Sequence, residues 1–159
     1  MFPIKVGIGY DSHPFVNSKP LFLGGIKIPY TKGLSGHSDG DVILHAIIDS
    51  ILTPATGKNI GELFSDKDSK YKNISSLILL KEAFELIKQY DYKISNIDVV
   101  YISESPIIQP YIPEMITTIA KTIHIDSKII TIKGKSNEKM GFVGRNEGAA
   151  VIAVSLLYS

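Results

Sequence analysis

The run VILHAIIDSIL, residues 42–52, would be apolar on nearly every side of the helix it forms. Such a helix belongs at the centre of a domain and not on its surface. Its polar interruptions are regular: Asp41, His45 and Asp49 recur every four residues, so a single polar stripe runs along a helix otherwise surrounded by Val42, Leu44, Ile47, Ile48, Ile51 and Leu52. The preceding Ser38-Asp39-Gly40-Asp41 reads as a capping box with Asp in the Glu position, which predicts a helix from there to about Leu52. An imidazole held that close to a core needs a partner.

A partner is on offer near the start of the chain. Ile4–Tyr10 alternates as a strand does and leads into GYDSHPF, where Asp11 and His13 stand two residues apart and so face the same side. With His45 they form a set of two imidazoles and one carboxylate. Three protein ligands with a fourth position open is the arrangement of a catalytic zinc, and non-haem iron takes the same donors. Spacing alone leaves a second reading open, in which the two histidines hydrogen-bond within a polar core. The chain has no cysteine, so any metal must rest on His and carboxylate ligands.

Other segments fill in the architecture. Leu21–Leu23 and Ile26–Ile28 flank a Gly-Gly pair as a hairpin, and residues 29–37 read as a loop. Residues 54–72 read as a long loop with one short helical turn, residues 75–90 and 112–123 as amphipathic helices, and residues 94–102, 129–133 and 148–157 as strands. Without a regular βαβ rhythm, the expected class is α+β: a mixed or antiparallel sheet with helices on one face, in one domain spanning residues 1–159.

Composition narrows the partners. Seventeen basic and sixteen acidic residues leave a net charge of +1 with no long basic run, so neither nucleic acid nor a membrane surface is indicated. The apolar runs fall short of the ~20 residues a membrane helix needs. The opening MFPIKVGIGYD carries no leader pattern, which makes a cytoplasmic protein the expectation, or a plastid-type organellar one after removal of a transit peptide. Residues 137–145, NEKMGFVGR, combine a carboxylate, two cations and two glycines; they read either as a phosphate and cation loop or as a polar turn. Residues 64–68, FSDKD, read as a solvated acidic loop, and residues 103–109 as a rigid connector after a strand.

Taken in order, GYDSHPF, LFLGGIKIPY, KGLSGHSDGDVILHAIIDSIL, IGELFSDKD, NIDVVYISESP and EKMGFVGRNEG resemble the 2-C-methyl-D-erythritol 2,4-cyclodiphosphate synthases over almost the whole chain. The resemblance implies a lyase of the non-mevalonate isoprenoid pathway. Its substrate would be 4-diphosphocytidyl-2-C-methyl-D-erythritol 2-phosphate, cyclised with loss of CMP. It also implies a homotrimer with sites between subunits. Asp11, His13 and His45 match the zinc ligands, and Glu138 the ligand of a second divalent ion, Mg2+ or Mn2+. His37 and Ser136 match the groups that stabilise the transition state, with Ser where Thr is common. Substrate contacts are implied at Ser12 and Ser38, at Asn59, Ile60 and Gly61, and at Phe64, Asp66 and Asp68. Further contacts fall at Ser103, Pro106, Ile107, Ile108 and Gln109 around the cytosine, and at Lys135, Asn137, Phe142 and Arg145. Phe142 and Arg145 also match residues near a central trimer cavity, where Ile152 replaces a Glu found in some relatives. Asn59, Lys135 and Ile107 depart from the frequent Asp, Thr and Lys. Those departures leave an alternative, a metal- and cytidine-nucleotide-binding oligomer without turnover.

Overall fold

The computed structural model describes residues 3–17, 19–65 and 68–159. Five strands form one mixed sheet in the order β4-β1-β7-β5-β6, with β1 at Ile4–Val16, β4 at Gly33–Leu34, β5 at Lys93–Ile102, β6 at Ile130–Lys135 and β7 at Gly148–Tyr158. Only β5 and β6 run parallel; β1 and β5 both pair antiparallel with the central β7. The hairpin of β2 (Leu21–Leu23) and β3 (Ile26–Ile28) is a separate two-stranded sheet. The α+β class with helices on one face is what the chain adopts.

Helix α1, Val42–Thr56, is the central helix. It lies on β1 and β7, with α3 (Ser76–Gln89) packed beside it, and α4 (Ile112–Ile123) covers β6 and the flank of α3. Two glycines of β1 set how closely α1 approaches. A Cβ on Gly7 would fall 1.8 Å from the Ser50 carbonyl oxygen, and one on Gly9 1.9 Å from that of Ala46. Backbone therefore rests on backbone, and the side chains next along the strand, Asp11 and His13, come level with the first turns of α1. The buried pair Ser50 and Ser155 is satisfied by a 2.6 Å hydrogen bond between helix and β7.

Several boundaries differ from the sequence expectations. β1 does not end at Tyr10; it continues through Asp11 and His13, because β7 pairs with it as far as Pro14 opposite Gly148. The N-cap of α1 is Asp41 and not Ser38, and Asp41 accepts the Leu44 N–H. The helix also outlasts Leu52, running through Pro54 to a left-handed Gly57. Pro54 removes the N–H that would have bonded the Ser50 carbonyl, the same carbonyl that faces Gly7. The expected 54–72 loop contains α2 (Ile60–Leu63) and a 3-10 turn at Ser69–Tyr71, and the 29–37 loop contributes β4. The last short helix, α5, is Gly141–Gly144. No helix among the described residues is long and apolar enough to cross a membrane.

Candidate metal centre

Asp11 and His13 lie on the face of β1 that meets α1, and His45 comes down from the first turn of that helix. Their donor atoms converge. Asp11 Oδ2 is 2.8 Å from His13 Nε2 and 3.0 Å from His45 Nδ1, and the two nitrogens are 3.3 Å apart. Donors held about 2.0 Å from a tetrahedral ion sit about 3.3 Å from one another, so the three atoms already have the spacing of one face of such a shell. They are the only group of three His, Cys, Asp or Glu side chains so placed among the described residues. The donor set suits a divalent metal with a preference for imidazole and carboxylate.

The electrostatics agree with the geometry. Burial pushes the Asp11 carboxyl up, but hydrogen bonds and charge from His13 and His45 outweigh it and hold it far below the usual carboxylate range. Burial works against a protonated His45, yet Asp11, with the charges of Asp41 and Asp39 adding to it, more than offsets that and raises the ring's pKa. The cluster favours positive charge at its centre. On its far side His45 Nε2 meets Ser76 Oγ at 2.9 Å and Ser38 Oγ at 3.0 Å.

The three ligands open into a cavity of about 310 Å3 that also takes in His37, Ser38, Asp49, Ile60, Gly61 and Phe64. Sequence reasoning placed Asp49 on the polar stripe without giving it a function; it accepts the Ile60 N–H at 2.7 Å and so fixes the start of α2 against the cavity. Burial pushes its carboxyl up, against that hydrogen bond. Tyr71 and Leu79 also line the cavity, and no motif marked them. Asn59, expected at the substrate, spends its side chain as the N-cap of α2, accepting from Glu62 N in a reciprocal box. Asp68 caps the following 3-10 turn through Lys70 N, Asp66 lies outside the described residues, and Ser12 alternates to the face of β1 opposite Asp11 and His13.

The remaining expected residues gather elsewhere. Ser103, Pro106, Ile107, Ile108 and Gln109 line a second cavity of about 320 Å3 with Lys135 and Ser136, at the ends of β5 and β6. Glu104, which no motif reading had marked, organises its rim: Oε1 accepts the N–H of Asn137 at 2.9 Å and of Lys139 at 3.2 Å. In that stretch Glu138 and Lys139 adopt left-handed backbone with φ of 49° and 61°. Ser136 Oγ donates to Glu138 Oε1 at 2.6 Å. Arg145 pairs with Glu147, and Phe142 is exposed. Both cavities open at one end of the sheet, but β7 and β5 separate β1 from β6, an interval of about 14 Å at ordinary strand spacing. Within one chain, Glu138 and Ser136 do not join the Asp11, His13 and His45 cluster. A further cavity of about 870 Å3 is an apolar groove between α3 and α4 with a rim of Lys and Glu, remote from the ligand cluster in its lining.

Comparison with known proteins agrees with this geometry. The YgbB family model matches residues 4–158. The 2-C-methyl-D-erythritol 2,4-cyclodiphosphate synthase of Caldicellulosiruptor bescii is 51% identical over 153 residues, covering 96% of this chain and 98% of that one. Among solved structures, the CDP complex of IspF from Plasmodium falciparum superposes with a TM-score of 0.86 at 36% identity, over 98% of this chain and 96% of that one. The bifunctional IspDF of Campylobacter jejuni gives a TM-score of 0.95 at 40% identity over 99% of this chain, which spans 43% of that longer protein.

Proposed function

The chain belongs to the YgbB family, and from that premise we propose that it converts 4-diphosphocytidyl-2-C-methyl-D-erythritol 2-phosphate into 2-C-methyl-D-erythritol 2,4-cyclodiphosphate and CMP. The observation that carries the reading is the convergence of Asp11, His13 and His45 on one point of a cavity that also presents His37 and Ser38. In the reaction an oxygen of the 2-phosphate attacks the β-phosphorus, one P–O bond forms, and the bond to the bridging oxygen breaks with its electron pair leaving on CMP. No water is consumed and no protein nucleophile is needed. The barrier is the meeting of two anionic groups, so positioning and charge neutralisation are the enzyme's task.

Asp11, His13 and His45 would hold zinc, which when bound polarises and positions a phosphate. Ser38 and His37 offer a hydroxyl and a ring N–H to phosphate oxygens on one side. The Ser136 hydroxyl would take the corresponding place on the other, while Glu138 would hold the second divalent cation, Mg2+ or Mn2+. Ser103 to Gln109 and Lys135 enclose the cytidine, and the α2 segment around Ile60 and Gly61 receives the methylerythritol. The two sets of residues lie strands apart in one chain, which supports completion of the active site by a neighbouring subunit of the homotrimer that the family resemblance implies.

The test is a His45→Ala variant. The wild-type protein is expected to retain one tightly held divalent ion per chain and to release CMP from the diphosphocytidyl substrate, followed chromatographically. The variant should lose both; turnover at the wild-type rate in His45→Ala would refute the reading.

A further inference from the structure

Ser76, the first residue of α3, is fully buried and touches both the metal cluster and a carboxylate that no motif assigned. Its N–H donates to Asp39 Oδ2 at 2.8 Å, its Oγ lies 2.5 Å from Asp39 Oδ1, and the same Oγ lies 2.9 Å from His45 Nε2. A proton count fixes what each group does. An ionised carboxylate can only accept, so the Ser76 hydroxyl proton is committed to Asp39. The Ser76 oxygen can then only accept from the imidazole, which places the ring proton on Nε2. Nδ1 faces Asp11 Oδ2 and His13 Nε2, and a proton held there against Asp11 is the one a divalent ion would displace on taking the Nδ1 lone pair, while the Nε2–H stays on Ser76.

We propose that Asp39 and Ser76 are positioning residues that lock His45 in its Nε2–H tautomer and aim Nδ1 at the divalent ion. The relay is built from a separate part of the chain. Asp39 sits in the turn before α1 and also accepts the Asp41 N–H, while Ser76 arrives from α3, 31 residues beyond His45. It therefore ties the ring orientation to the docking of α3 on α1. Ser38 Oγ also lies near Nε2, and among the described residues it has no carboxylate partner; with Ser76 accepting the Nε2–H, the Ser38 hydroxyl keeps its own proton for an anionic group in the cavity. Outer-shell acceptors of this kind raise the affinity of the site for its metal by about 10–100-fold.

The inference rests on the metal-centre reading above, and the experiment separates the two. Zinc affinity is measured by competition with a chromophoric chelator for the wild type, Ser76→Ala, Asp39→Asn and Ser38→Ala. The ring Nε2–H of His45 is followed by nitrogen-15 NMR in the zinc-loaded proteins, and the melting temperatures of the chelated forms serve as fold controls. Ser76→Ala leaves the Ser75 N-cap of α3 in place. It is expected to weaken zinc binding about 10–100-fold and to let the ring N–H exchange freely, whereas Ser38→Ala holds zinc within about twofold of wild type. Asp39→Asn should follow Ser76→Ala, and it carries the test if Ser76→Ala melts far below the wild type. Wild-type zinc affinity and a protected ring N–H in both variants would overturn the relay. A wild-type protein that takes up no zinc would instead overturn the metal-centre reading.

Discussion

Asp41 holds three backbone N–H groups, from Gly24 at 3.0 Å, Gly25 at 2.7 Å and Leu44 at 3.1 Å, and so ties the β2–β3 hairpin to the start of α1. Complete burial pushes its carboxyl up to about 6, with the nearby Asp39 adding to the rise and the three N–H donors opposing it. A carboxyl raised on folding is worth most when protonated. Its contribution is therefore full below the ordinary carboxylate value and is lost as pH climbs through about 6. A rise of that size corresponds to about 3 kcal/mol. Denaturant titrations of the chelated protein from pH 4 to pH 7 should show the stability advantage of wild type over Asp41→Asn shrinking as pH rises; a constant difference would contradict the assignment. At this scale the sequence was informative wherever ligands repeat locally: the stripe of Asp41, His45 and Asp49 and the pair Asp11 and His13 were all visible in spacing. Asp39, Ser76 and Glu104 were not, because their value comes from partners 31 to 37 residues away that no local pattern identifies.

The pairing of β1 with α1 is what turns those spacings into a site. Gly7 and Gly9 let the carbonyl oxygens of Ser50 and Ala46 come within 1.9 Å of where a Cβ would sit, so any side chain there must lift the helix away. Gly9→Ala is expected to cost at least the 1–3 kcal/mol typical of overpacking and to weaken metal binding, since His45 rides on the displaced helix. Chelator competition and chemical denaturation measure both; lost stability with unchanged metal affinity would separate the helix position from the site. Apolar patterning in the sequence marks α1, α3 and α4, and the Gly-Gly pair marks the hairpin, but neither shows where β1 ends and α1 begins. Pairing with β7 carries β1 through a stretch without strand alternation, Asp11-Ser12-His13-Pro14. The cap falls on Asp41 because hairpin backbone supplies it with further donors, which SDGD alone does not reveal.

For the molecule as a whole, the face of the sheet away from the helices is uncovered and apolar: Ile4, Val6, Ile8 and Tyr10 of β1 stand beside Ile152, Val154 and Tyr158 of β7, all exposed. A contiguous apolar face of that kind marks an interaction surface. A homotrimer closed through this face would give a particle near three times the 17.4 kDa chain mass by light scattering. Ile8→Lys, which is free of the core, should yield folded monomers without CMP release; a fully active monomer would show that one chain suffices. The fold class and the ordered motifs were readable in the sequence, but the separation of the two cavities was not, because it depends on the strand order β1-β7-β5-β6. Cyclisation and its dependence on zinc are tested together by phosphorus NMR of the protein with the diphosphocytidyl substrate and magnesium, run with and without a zinc chelator. Stoichiometric CMP and a cyclic diphosphate, both lost on chelation and restored by zinc, are the predicted result; substrate bound intact, or a linear hydrolysis product in place of the cyclic one, would contradict it.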